Sequence, residues 1–494
     1  MTEIQFPPEL TKLARLFQDA GAALHAVGGL PRNAQFDLPP SDMDICSVLR
    51  PDAVESLCKE NDIKCIQKAP QFGTSELHMN GLKFEHTTFR GDAYGPGGTH
   101  RPEAVYFSES IEEDAFRRDF TCNALYVNIL TGEMHDPTGG LKDIEARLVR
   151  STSKDPAVIL QDDGLRVLRL IRFACELGFE IEEGTWAAAC ANVGGLADIA
   201  WERKRDELIK ILLSDGRYPA LTGTMPSPVL RGLTLLYEMG ALPYLIPELL
   251  EGDGITQRPQ YHAHDVLRHS FHACAAAEPT VTLRLAGLLH DIGKPAALRE
   301  KGLPADAGGH AQTPAKLLPR GVTPMLNHDT LGVPIAREIL QRLRIPNAIA
   351  EDVLFLVEHH MYDLNFRARE STLRTRFALI GYDRASLLCA IREADVLGSG
   401  LSPYFRATRW RAVLDSMKKD GAPFSESELQ CTGRDLMEWL NLPPGEQIGA
   451  IKRQLLLHCA RHPKDNTPER LKRIATGMLH DKGKNKEASS KTDR

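Results

Sequence analysis

Strand-forming patterns are confined to roughly the first 148 of the 494 residues, and helical patterns fill the rest of the chain. Residues 77–84 place Asn80-Gly81 between two extended arms, which is the strongest short signal for a β-hairpin. A second hairpin is predicted across residues 131–133, directly after the apolar stretch 124–127. We therefore expect a small α/β domain with a mostly antiparallel sheet, followed by domains built from helices alone.

The length of the chain predicts several domains, because a single hydrophobic core stops growing well before 494 residues. Proline and glycine clusters in the helical part indicate boundaries near residues 150, 245 and 400. The predicted domains are therefore 1–148, 149–245, 246–400 and 401–480. The remaining residues, 481–494, are polar and basic, and we expect them to be disordered.

Composition excludes several classes of protein. Hydrophobic residues make up 42% of the chain, enough for buried cores, yet no apolar run reaches the length needed to cross a bilayer. The first residues lack the basic-then-apolar pattern of a secretory leader, so we expect a cytoplasmic location and no membrane partner. The ten cysteines form no CxxC pair, which favours reduced thiols over a disulfide framework or a zinc knuckle.

Two adjacent glycines and an Asp-x-Asp pair form the first candidate site. Gly28 and Gly29 let the backbone approach a phosphate closely, because neither carries a Cβ. Asp42 and Asp44 lie on a predicted extended segment, where residues two apart point to the same face. Carboxylates in this arrangement suit Mg²⁺, which the phosphates of a nucleotide also bind. Glu85 is a candidate third carboxylate, with an ordinary solvent-facing role as the alternative.

Residues 117–125 concentrate hydrogen-bond donors and one acidic acceptor before an apolar strand. Arg118 could clamp phosphate oxygens in a bidentate fork that lysine cannot match. Asp119 and Asn123 could hydrogen-bond a ribose. The alternative is a loop held together by salt bridges.

A predicted helix after Gly164 carries only arginines on its polar side, in a chain whose net charge is −6. Arg166, Arg169 and Arg172 recur at steps of three, which fans them across one side of a helix. Asp163 can only accept hydrogen bonds and Arg166 can only donate them. In one plane, this pair would match the pairing edges of cytosine and adenine and oppose those of uracil and guanine. An i, i+3 salt bridge is the alternative.

Four of these patterns occur here in the order typical of one family. They are the glycine pair with Arg32, the Asp42/Asp44 pair, the run Arg-Arg-Asp-Phe-Thr-x-Asn-Ala at residues 117–124, and Asp163-x-x-Arg166. The chain in this respect resembles the bacterial-type CCA-adding tRNA nucleotidyltransferases, which share ancestry with bacterial poly(A) polymerases. The resemblance also includes residues 136–143 and extends through most of the first 215 residues.

The resemblance implies a palm-like nucleotidyltransferase head, residues 1–148, followed by a helical neck that binds nucleotide and RNA. It implies that Asp42 and Asp44 are the catalytic Mg²⁺ ligands and that Asp163 and Arg166 select the base. The residues that it places at the incoming nucleotide are Gly29, Arg32, Arg118, Asp163, Arg166, Arg169 and Arg172. Asp119 and Asn123 join this nucleotide site through their hydrogen-bonding chemistry.

The chain departs from the family pattern at three positions. Pro31 and Asn33 stand where the family usually has Val and Asp, and Asp162 replaces the usual Glu. Because Pro31 and Asn33 lie in the glycine loop, the family pattern does not predict the shape of this loop. None of the three removes a predicted metal ligand or the Asp163/Arg166 pair.

A second cluster of ligand-type residues lies in the helical half. His269, the pair His290-Asp291 and Asp395 come from separate predicted helices, and imidazoles with carboxylates suit a divalent metal. This set resembles an HD domain, which some members of the same family carry after the nucleotidyltransferase half. The pairs His328-Asp329 and His359-His360 also lie at positions typical of such domains. HD domains are metal-dependent phosphohydrolases or helical scaffolds, so a second divalent metal is expected here and turnover is left open.

Together the patterns predict an Mg²⁺-dependent enzyme that adds C, C and A to the 3′ end of tRNA from CTP and ATP, releasing pyrophosphate. Residues 401–480 resemble the tail that grips the tRNA elbow and acceptor stem through shape and phosphates. Within this class, the alternatives are a poly(A) polymerase and an enzyme that adds only CC or only A. From another class, the alternative is an HD phosphohydrolase with an RNA-binding N-terminal half.

Overall fold

The computed structural model describes residues 4–38, 43–93, 104–223, 225–259, 261–303, 325–363, 367–401 and 408–490. The chain divides into two compact units, Met1–Pro247 and Glu248–Arg494, which we call unit 1 and unit 2. Within the described ranges, no helix is both long and apolar enough to span a membrane.

Unit 1 is built on a sheet. The strands are β1 (His25–Val27), β2 (Asp44–Ser47), β3 (Lys64–Ala69), β4 (Thr74–Met79), β5 (Leu82–Thr88), β6 (Arg90–Ala93), β7 (Ala104–Phe107), β8 (Tyr126–Asn128), β9 (Met134–His135), β10 (Leu148–Val149) and β11 (Glu180–Ile181). The main sheet has the order β3-β4-β5-β2-β1-β8-β9. Its neighbours pair antiparallel except β2 with β5, so the prediction of a mostly antiparallel sheet is confirmed.

Both predicted hairpins are present. β4 and β5 pair around Asn80 and Gly81, whose φ angles of 50° and 85° lie in the left-handed region that a type I′ turn requires. β8 and β9 pair across the second predicted turn. β2 lies beside β5 in parallel, with Asp44 directly opposite Glu85.

Helices cover the sheet and continue after it. In unit 1 they are α1 (Pro8–Asp19), α2 (Gly29–Ala34), α3 (Pro51–Glu60), α4 (Ile111–Phe116), α5 (Gly140–Glu145), α6 (Pro156–Asp162), α7 (Leu165–Leu177), α8 (Glu183–Asn192), α9 (Trp201–Leu212), α10 (Ser214–Arg217), α11 (Pro219–Thr222) and α12 (Pro228–Glu238). Leu13 and Phe17 of α1 join one buried cluster with Ile45 and Phe84 of the sheet. The predicted arginine helix is α7, which buries its apolar side completely.

The described residues of unit 2 form helices joined by turns and loops, with no strand among them. Its helices are α13 (Val266–Ala276), α14 (Val281–Leu289), α15 (Lys294–Glu300), α16 (His328–Arg342), α17 (Asn347–His359), α18 (Glu370–Ile380), α19 (Tyr382–Gly398), α20 (Thr408–Lys419), α21 (Gly433–Leu440), α22 (Glu446–Arg461) and α23 (Pro468–Ser490). α13 packs against α14 and α19, and α16 packs against α17. These five helices carry or directly precede the residues predicted to bind metal.

The end of the chain differs from the expectation of a disordered tail. α23 continues to Ser490, so residues 481–490 are helical. The sequence there is rich in Lys, with Glu487 and Ala488, residues of high helix propensity that extend a helix already begun at Pro468. Residues 491–494 lie outside the described part of the chain.

Candidate nucleotide and metal sites

The glycine pair lies against one of the predicted metal ligands. Gly28 has a φ of +75°, and a Cβ added to it would lie 3.5 Å from the Oδ2 of Asp44. Gly29 is the first residue of α2. Because Asp44 is opposite Glu85 on the neighbouring parallel strand, the two carboxylates share one face of the sheet. Asp42 lies outside the described residues, so its role stays a prediction.

Arg32 is buried and held by polar side chains. Its guanidinium donates to the Oδ1 of Asn33 at 3.0 Å, to the Oδ1 of Asn123 at 2.5 Å and to the hydroxyl of Tyr218 at 3.2 Å. The side-chain amide of Asn33 donates to the same hydroxyl at 3.2 Å. Asn33, a departure from the family pattern, therefore helps to fix the orientation of Arg32, which is predicted to contact the nucleotide.

Arg118 is oriented by a carboxylate that the sequence reasoning did not single out. Asp114 is fully buried, and its Oδ2 accepts hydrogen bonds from Arg118 at 2.9 Å and from the hydroxyl of Tyr126 at 2.7 Å. Its Oδ1 accepts from Arg117 at 2.9 Å. Burial alone raises the pKa of Asp114, but the charges of Arg118 and Arg117 outweigh it and hold this pKa at about 2. Asp114 therefore stays ionised and anchors both arginines.

Asp119 is buried and tied to the arginine helix. Its Oδ2 accepts a hydrogen bond from the Nε of Arg169 at 2.7 Å, and its Oδ1 accepts one from the amide of Asn123 at 3.3 Å. Burial raises the pKa of Asp119, but the charges of Arg169 and Arg166 dominate and hold it at about 2. Ribose binding by Asp119 and Asn123 remains a prediction, and the contacts seen here join residues 119–123 to α7.

Asp163 and Arg166, the predicted base-selecting pair, each bind another partner. The Oδ2 of Asp163 accepts a hydrogen bond from Arg203 of α9 at 2.8 Å. Arg166 donates to the carbonyl oxygens of Ile159 and Arg117, at 2.8 Å each. These contacts take the place of the i, i+3 salt bridge considered as the alternative. They also hold both side chains beside the start of α7.

Arg169 and Arg172 of α7 are paired with carboxylates, so they do not form an uncompensated positive surface. Arg169 binds Asp119, and the Nε of Arg172 lies 3.0 Å from the Oε2 of Glu207. The guanidinium of Arg172 also lies 4.2 Å from the ring centroid of Phe173. The net positive charge at this surface is therefore smaller than the row of arginines suggests.

Unit 2 brings together the four predicted ligands of the HD-like set with His328 and His360, one histidine from each further predicted pair, whereas the other members of those pairs, Asp329 and His359, are only half-buried and lie outside this group. The residues of the group are all buried. We call this group the HD cluster: His269 of α13, His290 and Asp291 after α14, His328 at the start of α16, His360 after α17, and Asp395 of α19. Gly293 permits the close approach of these elements, because a Cβ there would lie 2.1 Å from the carbonyl oxygen of His328.

One half of the HD cluster surrounds the Oδ2 of Asp291. The Nε2 atoms of His269 and His290 lie 3.1 Å from each other, and 3.3 Å and 3.2 Å from this oxygen. The Oδ1 of Asp395 lies 3.1 Å from the Nε2 of His269 and 3.6 Å from that of His290. Two imidazoles and two carboxylates thus converge on one point.

The other half surrounds the Oδ1 of Asp291. The Nε2 atoms of His328 and His360 lie 3.1 Å from each other, and 3.1 Å and 3.7 Å from this oxygen. Lys294 donates to the opposite oxygen, Oδ2, and to the side-chain carbonyl of Gln257. The carboxylate of Asp291 therefore connects two groups of ligand-type atoms.

Burial and charge shift the pKa values within the HD cluster in opposite directions. Burial lowers the pKa of His290, but Asp291 and Asp395 outweigh this effect and raise it to about 10. For His360 burial dominates, and its pKa falls to about 4. Burial also opposes ionisation of Asp291, yet the charges of His290 and Lys294 hold its pKa well below the usual range. The carboxylate is therefore ionised and suited to binding a cation.

Several residues at these sites escaped the sequence reasoning. Asp114 precedes Arg117 and Arg118 by three and four residues, a helical ion-pair spacing that could have identified it. Tyr218 and Glu207 carry no comparable signal, because their partners Arg32 and Arg172 are distant in the sequence. Such contacts depend on how the helices after the sheet pack.

Three family models match the chain. They are the "Poly A polymerase head domain" over residues 24–150, the "Probable RNA and SrmB- binding site of polymerase A" over residues 178–222 and the "HD domain" over residues 262–390. The A-adding tRNA nucleotidyltransferase of Deinococcus radiodurans is 31% identical over 392 residues, which cover 76% of this chain and 82% of that protein. The chain belongs to the tRNA nucleotidyltransferase family.

Other tRNA nucleotidyltransferases match in sequence or in fold. The CCA-adding enzyme of Limosilactobacillus fermentum is 33% identical over 254 residues, which cover 51% of this chain and 62% of that protein. The CCA-adding enzyme of Bacillus stearothermophilus, solved in complex with CTP, has a TM-score of 0.65 at 23% identity, covering 97% of this chain and 100% of that one. That of Thermotoga maritima, solved with tRNA, has a TM-score of 0.54 at 16% identity, covering 96% of each chain.

Membership in the tRNA nucleotidyltransferase family confirms the resemblance on which the sequence prediction rested. The chain is an enzyme of the nucleotidyltransferase class with an HD domain in its helical half. The solved neighbours confirm the predicted fold, a sheet-containing head followed by helices. Nucleotidyltransferases of this kind and HD domains are metal-dependent families.

Proposed function

We propose that this chain adds C, C and A to the 3′ end of tRNA from CTP and ATP, with Mg²⁺, in the cytoplasm. In each step, the O3′ of the tRNA bonds to the α-phosphorus of the incoming nucleotide while the bond from that phosphorus to the bridging oxygen breaks. Pyrophosphate leaves, and the proton of the attacking hydroxyl is lost. A helical neck, residues 149–245, and a tail, residues 401–480, would bind the tRNA.

One observation carries the proposal: the backbone of Gly28 lies against the Asp44 carboxylate, which in turn is opposite Glu85. A glycine at a positive φ leaves room for a phosphate to come close to the backbone. Adjacent carboxylates attract the divalent ion that neutralises such a phosphate, and Mg²⁺ would supply this charge when bound. We assign Asp42 and Asp44 as its ligands, with Glu85 as the third carboxylate.

The surrounding residues would bind and orient the nucleotide. We assign phosphate binding to Gly29, Arg32 and Arg118, and the lining of the nucleotide pocket to Asp119, Asn123, Arg169 and Arg172. The buried ion pairs of Arg118 with Asp114 and of Arg169 with Asp119 hold these guanidinium groups in place before the nucleotide arrives. Pre-formed positioning of this kind lowers the ordering cost of binding.

Base selection is assigned to Asp163 and Arg166. Each terminal nitrogen of Arg166 donates one hydrogen bond to a backbone carbonyl oxygen. The remaining N–H groups of the guanidinium can therefore donate to a base. Asp163 must exchange its contact with Arg203, a half-exposed residue. Ion pairs of this exposure stabilise by only about 0–1 kcal/mol, so a base amino group can replace it.

A second candidate function is the addition of A alone to a tRNA that already ends in CC. It is favoured by the relative from Deinococcus radiodurans, which is named an A-adding enzyme and matches 82% of its own length. The two functions share the metal and phosphate chemistry described above. They differ in whether the site accepts CTP.

The metal assignment is tested with Asp44→Ala. The full-length variant is assayed for nucleotide addition to a tRNA transcript, with Asp19→Ala, an exposed carboxylate of the same unit, as the matched control. We expect Asp44→Ala to lose at least about 100-fold in kcat with its fold intact, because charge on the reacting phosphates is no longer neutralised. Unchanged addition by Asp44→Ala would refute the assignment.

The base-selection assignment is tested with Asp163→Ala. We expect this variant to incorporate UMP and GMP more readily, with a smaller loss in rate at saturating CTP or ATP, because the group that opposes the wrong pairing edges is gone. Asp206→Ala, which removes an exposed carboxylate of α9, is the control and should keep its selectivity. Equal discrimination by Asp163→Ala and the unaltered chain contradicts the assignment.

For the HD domain, we propose one divalent cation bound by His269, His290, Asp291 and Asp395. The proposal rests on the convergence of these four buried side chains within hydrogen-bond range of one another. Imidazole and carboxylate ligands favour ions such as Mn²⁺, Fe²⁺, Co²⁺, Ni²⁺ or Zn²⁺ over Mg²⁺.

A further inference from the structure

The side chain of Phe173 lies among three arginines that the proposed function assigns to the nucleotide. The guanidinium carbon atoms of Arg172, Arg169 and Arg32 lie over its ring, 4.2, 5.3 and 5.5 Å from the ring centroid. A cation within about 6 Å of a ring centroid is attracted by the negative charge on the faces of the ring. All three guanidinium groups lie within this distance of one aromatic side chain.

Phe173 connects two elements of unit 1. Arg169 and Arg172 precede it on α7, whereas Arg32 belongs to α2. The ring of Phe120 packs edge-on against that of Phe173, with centroids 6.0 Å apart and ring planes inclined at 77°. Aromatic pairs favour this arrangement, and Phe173 is only 7% exposed. Its ring therefore has a defined orientation towards Arg32.

The three cations have different counter-charges. Arg169 and Arg172 each pair with a carboxylate, whereas Arg32 donates to the neutral side chains described above. Like charges gathered around one ring repel each other. Accordingly, burial lowers the pKa of Arg172, and the charge of Arg169 lowers it further. The faces of an aromatic ring offset part of this repulsion, and they do so without an oxygen acceptor that would compete with phosphate for the N–H groups.

We propose that Phe173 is a positioning residue of the nucleotide site, whose ring holds Arg32, Arg169 and Arg172 in place for the triphosphate of the incoming nucleotide. This inference rests on the proposed function and adds Phe173 to it. Arginines held in advance lose less conformational freedom when they bind phosphate. The ring acts on binding and takes no part in bond formation, so its loss should weaken nucleotide affinity and leave the rate at saturation nearly unchanged.

Progressive fluorination of Phe173 tests this role in the full-length chain. Phenylalanine analogues with one, two or three fluorine atoms on the ring withdraw negative charge from its faces and nearly keep its size. We expect the Kd for ATP, measured by calorimetry with Mg²⁺, to rise with each fluorine, by about 10-fold in total. The same series at Phe17, which is fully buried in the apolar cluster of α1 and the sheet, is the matched control. It should leave the Kd unchanged.

Two ordinary substitutions provide a second measurement. Phe173→Leu keeps an apolar side chain and removes the ring, so the KM for ATP should rise about 10-fold with kcat nearly unchanged. Phe173→Tyr keeps the ring and should keep a KM close to that of the unaltered chain. Equal KM values for these two variants, or a constant Kd across the fluorinated series, would overturn the proposal even if thermal unfolding showed lower stability.

The two measurements separate this inference from the proposed function. If the Kd for ATP rises with fluorination but no nucleotide is added to tRNA, the role of Phe173 stands and the proposed function is wrong. If nucleotides are added while the Kd stays constant, only the role of Phe173 is wrong. If the unaltered chain does not bind ATP at all, both are wrong.

Discussion

At the scale of single residues, Asp114 fixes two arginines, of which Arg118 is assigned to the proposed nucleotide site. It is fully buried and accepts hydrogen bonds from Arg117, Arg118 and Tyr126. Removing one partner of a buried charge group is far more damaging than removing a surface pair, because the remaining charges stay buried without compensation. The orientation of Arg118 therefore depends on Asp114.

Asp114→Asn should destabilise unit 1 by about 3 kcal/mol, because an amide leaves two partly buried guanidinium groups without their counter-charge. It should also slow nucleotide addition by raising the KM for nucleotide, since Arg118 is no longer fixed. Urea unfolding and steady-state kinetics measure the two effects. Glu112→Gln, an exposed change on the same helix, is the control. A variant as stable as Glu112→Gln would contradict the role given to Asp114.

The stabilisation by Asp114 should vanish in acid. Its pKa in the folded chain is about 2, below the ordinary value of 3.8, so the folded state binds its proton less readily than the unfolded state does. A depressed pKa contributes stability that is complete above pH 3.8 and is lost as the pH falls towards about 2. The difference in unfolding free energy between the unaltered chain and Asp114→Asn should therefore shrink across this window. A difference that stays constant there would place its origin elsewhere.

At the scale of elements, the placement of α2 depends on the segment between α10 and α11. The hydroxyl of Tyr218 accepts from both Arg32 and Asn33, which lie on α2. This contact connects the glycine loop to the helices that follow the sheet. Tyr218 is therefore a positioning residue for Arg32.

Tyr218→Phe should raise the KM for nucleotide by roughly fivefold with a smaller change in kcat, since a hydrogen bond of this kind contributes about 1 kcal/mol. The reason is that Arg32 and Asn33 lose a shared acceptor and α2 is held less firmly. Tyr106→Phe, which removes an exposed hydroxyl of unit 1, is the control. Lower stability with an unchanged KM would show that the contact is structural only.

The elements that could be predicted from the sequence are those with local signals. Asn80-Gly81 specifies its hairpin through the φ angles of two adjacent residues, and the arginine spacing specifies α7 through helical periodicity. The partner of Asp163 could not be predicted in this way. Arg203 is 40 residues distant and meets Asp163 only because α9 packs against α7. The local alternative, an i, i+3 bridge from Asp163 to Arg166, is replaced by the contact with Arg203.

The HD cluster shows the same division between local and long-range information. The adjacent pair His290-Asp291, which follows an apolar helix, is a local pattern that indicates an HD domain. The spacing of these residues along the sequence does not predict the orientation of the Asp291 carboxylate, which directs one oxygen at each pair of histidines. This orientation depends on α17 lying beside α14 and on α16 lying beside α15 and α17, an arrangement that Gly293 permits by leaving room for the backbone at His328.

At the scale of the whole molecule, the chain combines two metal-dependent families in two compact units. Unit 1 contains the residues assigned to nucleotide addition, and unit 2 contains the HD cluster. Family membership establishes the class of enzyme, whereas the A-adding and CCA-adding relatives leave different products open. The product made at the tRNA 3′ end therefore decides the central claim.

The most direct test is to sequence the 3′ ends of a tRNA transcript that lacks CCA after incubation with the purified chain, Mg²⁺ and all four nucleoside triphosphates. The Asp44→Ala variant provides the background. We predict that the product ends in CCA and that its formation requires CTP and ATP together. Ends extended by A alone on a transcript already finishing in CC, with no extension of the shorter transcript, or long A tails would contradict this account.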